Sequence, residues 1–104
     1  MSTIDKGTRW RRKVQDYLEA AGMPTSARAW MEPGDDITAA AGGIALSVEA
    51  KDHRALSLST WVDQAVRNAP DGAVPLVVAH RQGHAGVDQA YVIMRGQDLL
   101  ALLR

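Results

Sequence analysis

The sequence predicts an α/β fold, a mixed β-sheet flanked by helices in the order αβββαββα. Three observations carry that prediction. Trp10, Val14, Tyr17, Leu18 and Ala21 fall at i, i+4, i+7, i+8 and i+11, the stripe of an amphipathic helix. Two strand-like runs, Ile37 to Ala40 and Ile44 to Lys51, are separated by little more than Gly42-Gly43, a hairpin turn. Pro75-Leu76-Val77-Val78-Ala79-His80 is a short, nearly continuous apolar run, typical of a strand covered on both faces.

The remaining elements follow in chain order. Gly22 fits the stop of the first helix, and Pro24 prevents its continuation. Thr25 to Met31 alternate loosely as a strand, and Glu32-Pro33-Gly34 is turn chemistry. Ser57 or Ser59 can cap a second helix whose buried face is Leu58, Trp61, Val62, Ala65 and Val66. Asn68 to Gly72 ends it, with Pro70 as the breaker. Gln82 to Gly86 reads as a loop, Ala90 to Met94 as a strand, and Gln97 to Leu103 as a closing helix.

Composition narrows the function classes. At 104 residues, positions 1–104 read as a single domain with a modest core, near the size where self-association helps. With no cysteine, disulfides and thiolate catalysis are excluded. No apolar run approaches the ~20 residues needed to span a bilayer. The first residues lack a signal-peptide core, so no membrane association is expected and a cytoplasmic location is. The net charge is zero, but Lys6, Arg9, Arg11, Arg12 and Lys13 place five of the twelve basic residues in the first thirteen positions. That cluster suits nucleic-acid phosphates, or else it is a solvated helix face.

The chemistry centres on acids and one amine. Asp35-Asp36 precedes one strand run, and Glu49-Ala50-Lys51 closes the next. Two carboxylates and an ammonium at the ends of neighbouring strands make a hard-cation site with a positive group beside it. Oxygen ligands of this kind suit Mg²⁺ or Mn²⁺, which keep waters and pair with substrate phosphates. That is the minimum apparatus for cutting a phosphodiester bond. Each residue has a second reading: Asp36 as turn chemistry, Glu49 and Lys51 as an exposed ion pair, Gln64 as a surface helix residue. His53 follows the strand end within reach of a phosphate, or is an exposed turn residue. His80 and His84 lack the spacing of a zinc site. Trp10 and Trp61 sit on apolar stripes and read as core, while Trp30 is free for an interface.

Asp36-Ile37, Glu49-x-Lys51 and Leu58-Ser59-Thr60-Trp61-Val62-Asp63-Gln64-Ala65 together resemble the PD-(D/E)xK nuclease superfamily. Within it the chain looks most like the short Holliday junction resolvases of bacteriophages, particularly those of actinobacteria. The likeness covers nearly the whole chain, from a basic first helix with its Trp to the Tyr91-Val92-Ile93-Met94 strand. It implies a restriction-endonuclease-like fold and Mg²⁺- or Mn²⁺-dependent hydrolysis of branched DNA, in the host cytoplasm if a phage encodes it. A homodimer is expected because the chain is short and one small sheet leaves Trp30, Met31 and Leu99 to Leu103 uncovered, unless the terminal leucines cap the monomer's own core. By the same likeness Asp36 and Glu49 would be metal ligands, with the Ala50 carbonyl available as a third. Lys51 would orient or activate the attacking water, and Gln64 would buttress the site. Arg9, Arg11, Arg12, Lys13 and His53 would meet DNA. Related resolvases often carry a Glu on the first helix just after the Trp; here Arg11, Arg12 and Lys13 follow Trp10, and the nearest helix acids are Asp16 and Glu19. A reduced ligand set, recruitment of Asp35 or slower cutting would each accommodate that departure. Another nuclease of the superfamily, restriction or repair type, and a non-catalytic DNA-binding or assembly protein of the same fold are the alternatives.

Overall fold

The computed structural model describes residues 6–28 and 34–104. Trp30 and Met31, and with them the end of the predicted first strand and the start of the Glu32-Pro33-Gly34 turn, lie outside the described residues. The elements are α1 (Lys6–Ala20), β1 (Thr25–Ala27), β2 (Ile37–Ala41), β3 (Ile44–Lys51), α2 (Leu58–Asn68), β4 (Val74–Ala79), β5 (Tyr91–Ile93) and α3 (Gly96–Leu103), with a short 3₁₀ turn at Val87–Gln89. The predicted order holds throughout.

Helix α1 stops in a Schellman motif. Gly22 adopts φ +92°, its N–H donates to the Glu19 carbonyl, and the Met23 N–H reaches back to Leu18. Leu18 and Met23 then pack together on the core. The predicted stripe is shortened: Trp10 and Val14 are buried, Leu18 is half-buried, and Tyr17 and Ala21 face solvent. Residue 21 falls in the cap, beyond the helix.

Five strands lie in the order β1-β2-β3-β4-β5, with β3 and β4 parallel and every other pair antiparallel. Gly42 and Gly43 both take positive φ, joining β2 to β3 through the two-residue hairpin. The parallel pair needs a crossover connection, which α2 supplies. Helix α2 ends at Ala69, whose extended backbone is what the following Pro70 demands. Its predicted face is narrower than expected, because Leu58 at the first turn is exposed while Trp61 and Ala65 carry the burial. Ser57 occupies the N-cap without a side-chain capping bond.

Strand alternation sorts side chains to the two faces. Leu46, Val48, Leu76 and Val78 join Trp10 and Val14 beneath α1, with Leu102 of α3 packed on the same cluster. Val77 and Ala79 join Trp61 and Ala65 beneath α2. The Trp10 indole N–H donates to the Val78 carbonyl at 3.1 Å, pinning α1 to β4. Truncating Trp10 to Ala would cost roughly 3–5 kcal/mol, as large-to-small changes at aromatic core sites do. The same alternation sends Ser47, Glu49 and Lys51 towards α2, where a polar stripe meets them.

Candidate active site

Asp36 stands one residue before β2 and Glu49 two residues before the end of β3. Because Ile37 pairs with Val48, the register carries the Asp36 side chain to the end of β3. There its Oδ2 accepts the Ala50 N–H at 2.9 Å. Glu49 is 2% exposed. It is therefore no exposed ion-pair partner. Its Oε1 accepts a hydrogen bond from the Asn68 amide at 3.0 Å. Burial pushes the Glu49 carboxyl up to about 7; the Asn68 bond opposes that, the charge of Asp36 adds to it, the Lys51 charge opposes it, and a hydrogen bond with Asp36 adds again.

Lys51 donates from Nζ to Gln64 Oε1 at 2.6 Å. Gln64 and Asn68 are four apart and share one side of α2; Lys51 and Glu49 are two apart and share one face of β3. Two amides from one helix thus hold one amine and one carboxyl from one strand. Asp36, Glu49, Lys51 and Gln64 are brought together. Asn68, read from the sequence only as a helix end, belongs with them; its spacing from Gln64 was the available signal.

Asp35 is elsewhere engaged. It is 2% exposed, with Oδ1 accepting from Arg28 Nη2 at 2.9 Å and Oδ2 from Ser47 Oγ at 2.8 Å, while its carbonyl accepts from Arg28 Nε at 3.1 Å. A Cβ at Gly34, where φ is +120°, would run into that guanidinium. Both Asp35 oxygens are committed to holding the turn that aims Asp36.

The basic cluster does not share one side of α1. Lys6, Arg9 and Lys13 line a cavity of about 330 Å³ together with Trp10, Asp52, His80 and Gln82. Arg11 is half-buried and Arg12 exposed, and neither lines that cavity. His53 is exposed, with its ring tilted against Trp61 at 5.5 Å. His80, read from the sequence as a loop flank, is structural: its ring stacks on Trp10 at 4.5 Å and meets Asp52 at 2.9 Å and the His84 carbonyl at 2.7 Å. Burial alone would raise the Asp52 carboxyl, but hydrogen bonds from His80 and Gln82 and the charges of His80 and Lys6 outweigh it and hold it below the usual range.

No family model matches the chain, and no curated protein does. Among solved structures it is similar to Hjc, a Holliday junction resolvase from the archaeal hyperthermophile Archaeoglobus fulgidus. The two share 26% identity over 92% of this chain and 89% of that one, with a TM-score of 0.62. The five-stranded mixed sheet flanked by three helices is therefore the fold of a resolvase nuclease. Among the described residues, no helix is long and apolar enough to cross a membrane.

Proposed function

We propose that this chain is a metal-dependent endonuclease that cuts branched DNA, with four-way junctions as its substrate. The observation that carries the reading is the convergence of Asp36, Glu49, Lys51 and Gln64 at one end of the central strands, in a chain similar to a junction resolvase.

The residues fit a small hard cation. Two carboxylates adjoin, and burial, with the charge of Asp36 adding to it, pushes the Glu49 carboxyl up to about 7 despite the Asn68 hydrogen bond and the Lys51 charge; a cation would relieve that cost. Among the described residues no group of three or more His, Cys, Asp or Glu side chains could hold a metal ion, so the ligands would be the Asp36 and Glu49 carboxylates, with the Ala50 carbonyl as the third that the family likeness implies. That set suits Mg²⁺ or Mn²⁺, whose remaining positions go to waters and substrate phosphates. When bound, the metal supplies Lewis-acid stabilisation of the phosphate and a more acidic water. Asn68 keeps the Glu49 carboxylate aimed. Gln64 holds the Lys51 ammonium in place, where it can meet charge growing on the phosphate oxygens without ligating the cation.

A non-catalytic DNA-binding protein of the same fold is the reading favoured by the basic residues that follow Trp10. Matched four-way junction, flap and linear duplex substrates with Mg²⁺, Mn²⁺ or Ca²⁺ separate the two. Paired, symmetric cuts in the junction support the resolvase; cuts spread over all three substrates leave a general nuclease; binding without cuts leaves the non-catalytic protein. The nearness to bacteriophage enzymes, the action in the cytoplasm and the homodimer belong to this same proposal. The dimer is supported by Tyr91, Val92, Leu99, Leu100 and Leu103, all exposed on β5 and α3.

A further inference from the structure

We infer that the cavity between α1 and the loop after β4 is a second phosphate site, which grips a backbone phosphate flanking the one that is cut. The inference rests on the nuclease reading for the source of the phosphate, but the site itself is built from residues outside the Asp36/Glu49/Lys51 cluster. Lys6, Arg9 and Lys13 fall at i, i+3 and i+7, so one side of α1 presents three cations to a space of about 330 Å³. Gln82 closes it from the loop. Arg9 and Lys13 pair with no acid among the described residues.

Among the described residues Asp52 is the one acid on the lining, and its charge is already spent on neighbours. Asp52 has a side chain only 7% exposed, and its Oδ1 is taken by His80 at 2.9 Å, Gln82 at 3.2 Å and Lys6 at 3.7 Å. It serves as the anchor that fixes His80 and Gln82 and draws Lys6 to the cavity. Behind it the stacked Trp10 and His80 rings form the floor, while Lys13 Nζ reaches the Ala85 carbonyl at 3.5 Å across the rim.

Position identifies the ligand. Asp52 directly follows Lys51, and the His80 N–H donates to the Lys51 carbonyl at 2.8 Å. The cavity therefore opens at the same end of β3 and β4 as the candidate active site, but on the α1 side. A strand whose phosphates succeed one another by about 3.4 Å of axis can reach both, placing one phosphate at Lys51 and a neighbour among Lys6, Arg9 and Lys13.

Two measurements on the full chain test this. Inorganic phosphate, titrated against chloride at matched ionic strength, is expected to shift the NMR signals of the Trp10 indole and His80 ring saturably in the wild type and not in Arg9→Gln/Lys13→Gln. Absence of saturable shifts, or their persistence in the variant, overturns the site. On junction DNA the same variant is expected to bind several-fold more weakly, with the slope of log affinity against log salt reduced by about 1, the loss of one phosphate contact. An Arg67→Gln control on α2 is expected to keep the wild-type slope. Phosphate binding with an unchanged slope in the double variant overturns the assignment to a DNA strand. A chain that binds phosphate in the cavity and shows the slope change, yet cuts no DNA, upholds this site and removes the nuclease reading instead.

Discussion

The ammonium of Lys51 lies 2.6 Å from Gln64 Oε1, and one turn further along α2 the Asn68 amide lies 3.0 Å from Glu49 Oε1. A helix and a strand thus exchange two hydrogen bonds in matched registers, i and i+4 against i and i+2. Neither functional side chain is left to find its own rotamer. This is how a short chain presets a site: the second layer comes from the crossover helix that the parallel β3–β4 pair already requires.

That pairing predicts how Lys51 and Gln64 divide the work. Lys51→Ala is expected to lower the single-turnover cleavage rate about 10²–10³-fold while leaving metal affinity nearly intact, since an ammonium stabilises charge without ligating. Gln64→Ala removes only the positioning, and a loss of about tenfold is expected. The double variant should then match Lys51→Ala alone, because the two residues act as one unit. Rates that multiply independently would separate them.

Glu49 sets stability against activity. Its folded carboxyl sits at about 7 against an ordinary 4.5, so the native state holds the proton more tightly than the unfolded chain. Without metal, the cost of ionising it is absent below pH 4.5, grows between 4.5 and 7, and is fully present above 7, reaching on the order of 3 kcal/mol. Glu49→Gln keeps the Asn68 hydrogen bond and removes the charge. It should abolish cleavage, yet in chelator unfold at higher denaturant than the wild type at pH 8 and near the same point at pH 4.5. Asp52 shapes the acid limb with the opposite sign. Its depressed carboxyl contributes stability that is complete above its ordinary value of 3.8 and is lost as pH falls through the folded value below that. Asp52→Asn should flatten that limb alone.

Much of this is legible in the sequence. The hairpin glycines, Gly22 and Pro70 fixed element boundaries because positive φ and the missing N–H are local chemistry. The acids and Lys51 were legible as types and spacings. What sequence could not supply was the second face of β3. Alternation alone leaves Glu49 and Lys51 free to face solvent as an ion pair, whereas α2 covers that face and buries Glu49. Asp35 and Asp36 were likewise inseparable as neighbours in a turn; only Arg28 and Ser47, twelve residues from Asp35 along the chain in the latter case, distinguish the structural acid from the candidate ligand. Long-range partners decide such roles.

Asp35 therefore yields a prediction of its own. Asp35→Ala leaves a buried Ser47 hydroxyl and the Arg28 guanidinium without their acceptor, at a cost of about 2–3 kcal/mol, tempered because Arg28 is one-third exposed. Metal stoichiometry, measured by calorimetry at a temperature where the variant is folded, should be unchanged. A lost metal equivalent would make Asp35 a ligand and undo its structural assignment.

The last prediction concerns assembly. Strand β5 is an edge of the sheet, three residues long, and exposes Tyr91 and Val92, while α3 exposes Leu99, Leu100 and Leu103. Among the described residues Leu102 is the closing leucine that packs on the core, and the rest of the helix's apolar face is exposed. Bringing such surface out of water is worth about 25 cal/mol per Å², and a two-fold interface would cover it on both copies at once. Two-fold pairing also sets two Asp36/Glu49/Lys51 sites before one junction, as symmetric cleavage requires. Leu100→Glu/Leu103→Glu should convert a micromolar dimer into a monomer by analytical ultracentrifugation while leaving the far-ultraviolet spectrum unchanged. The same variant should nick one strand of a junction without the paired second cut, since each monomer keeps its own site. A wild type that sediments as a monomer both alone and on junction DNA removes the dimer, and paired cleavage by the monomeric variant removes its role in resolution.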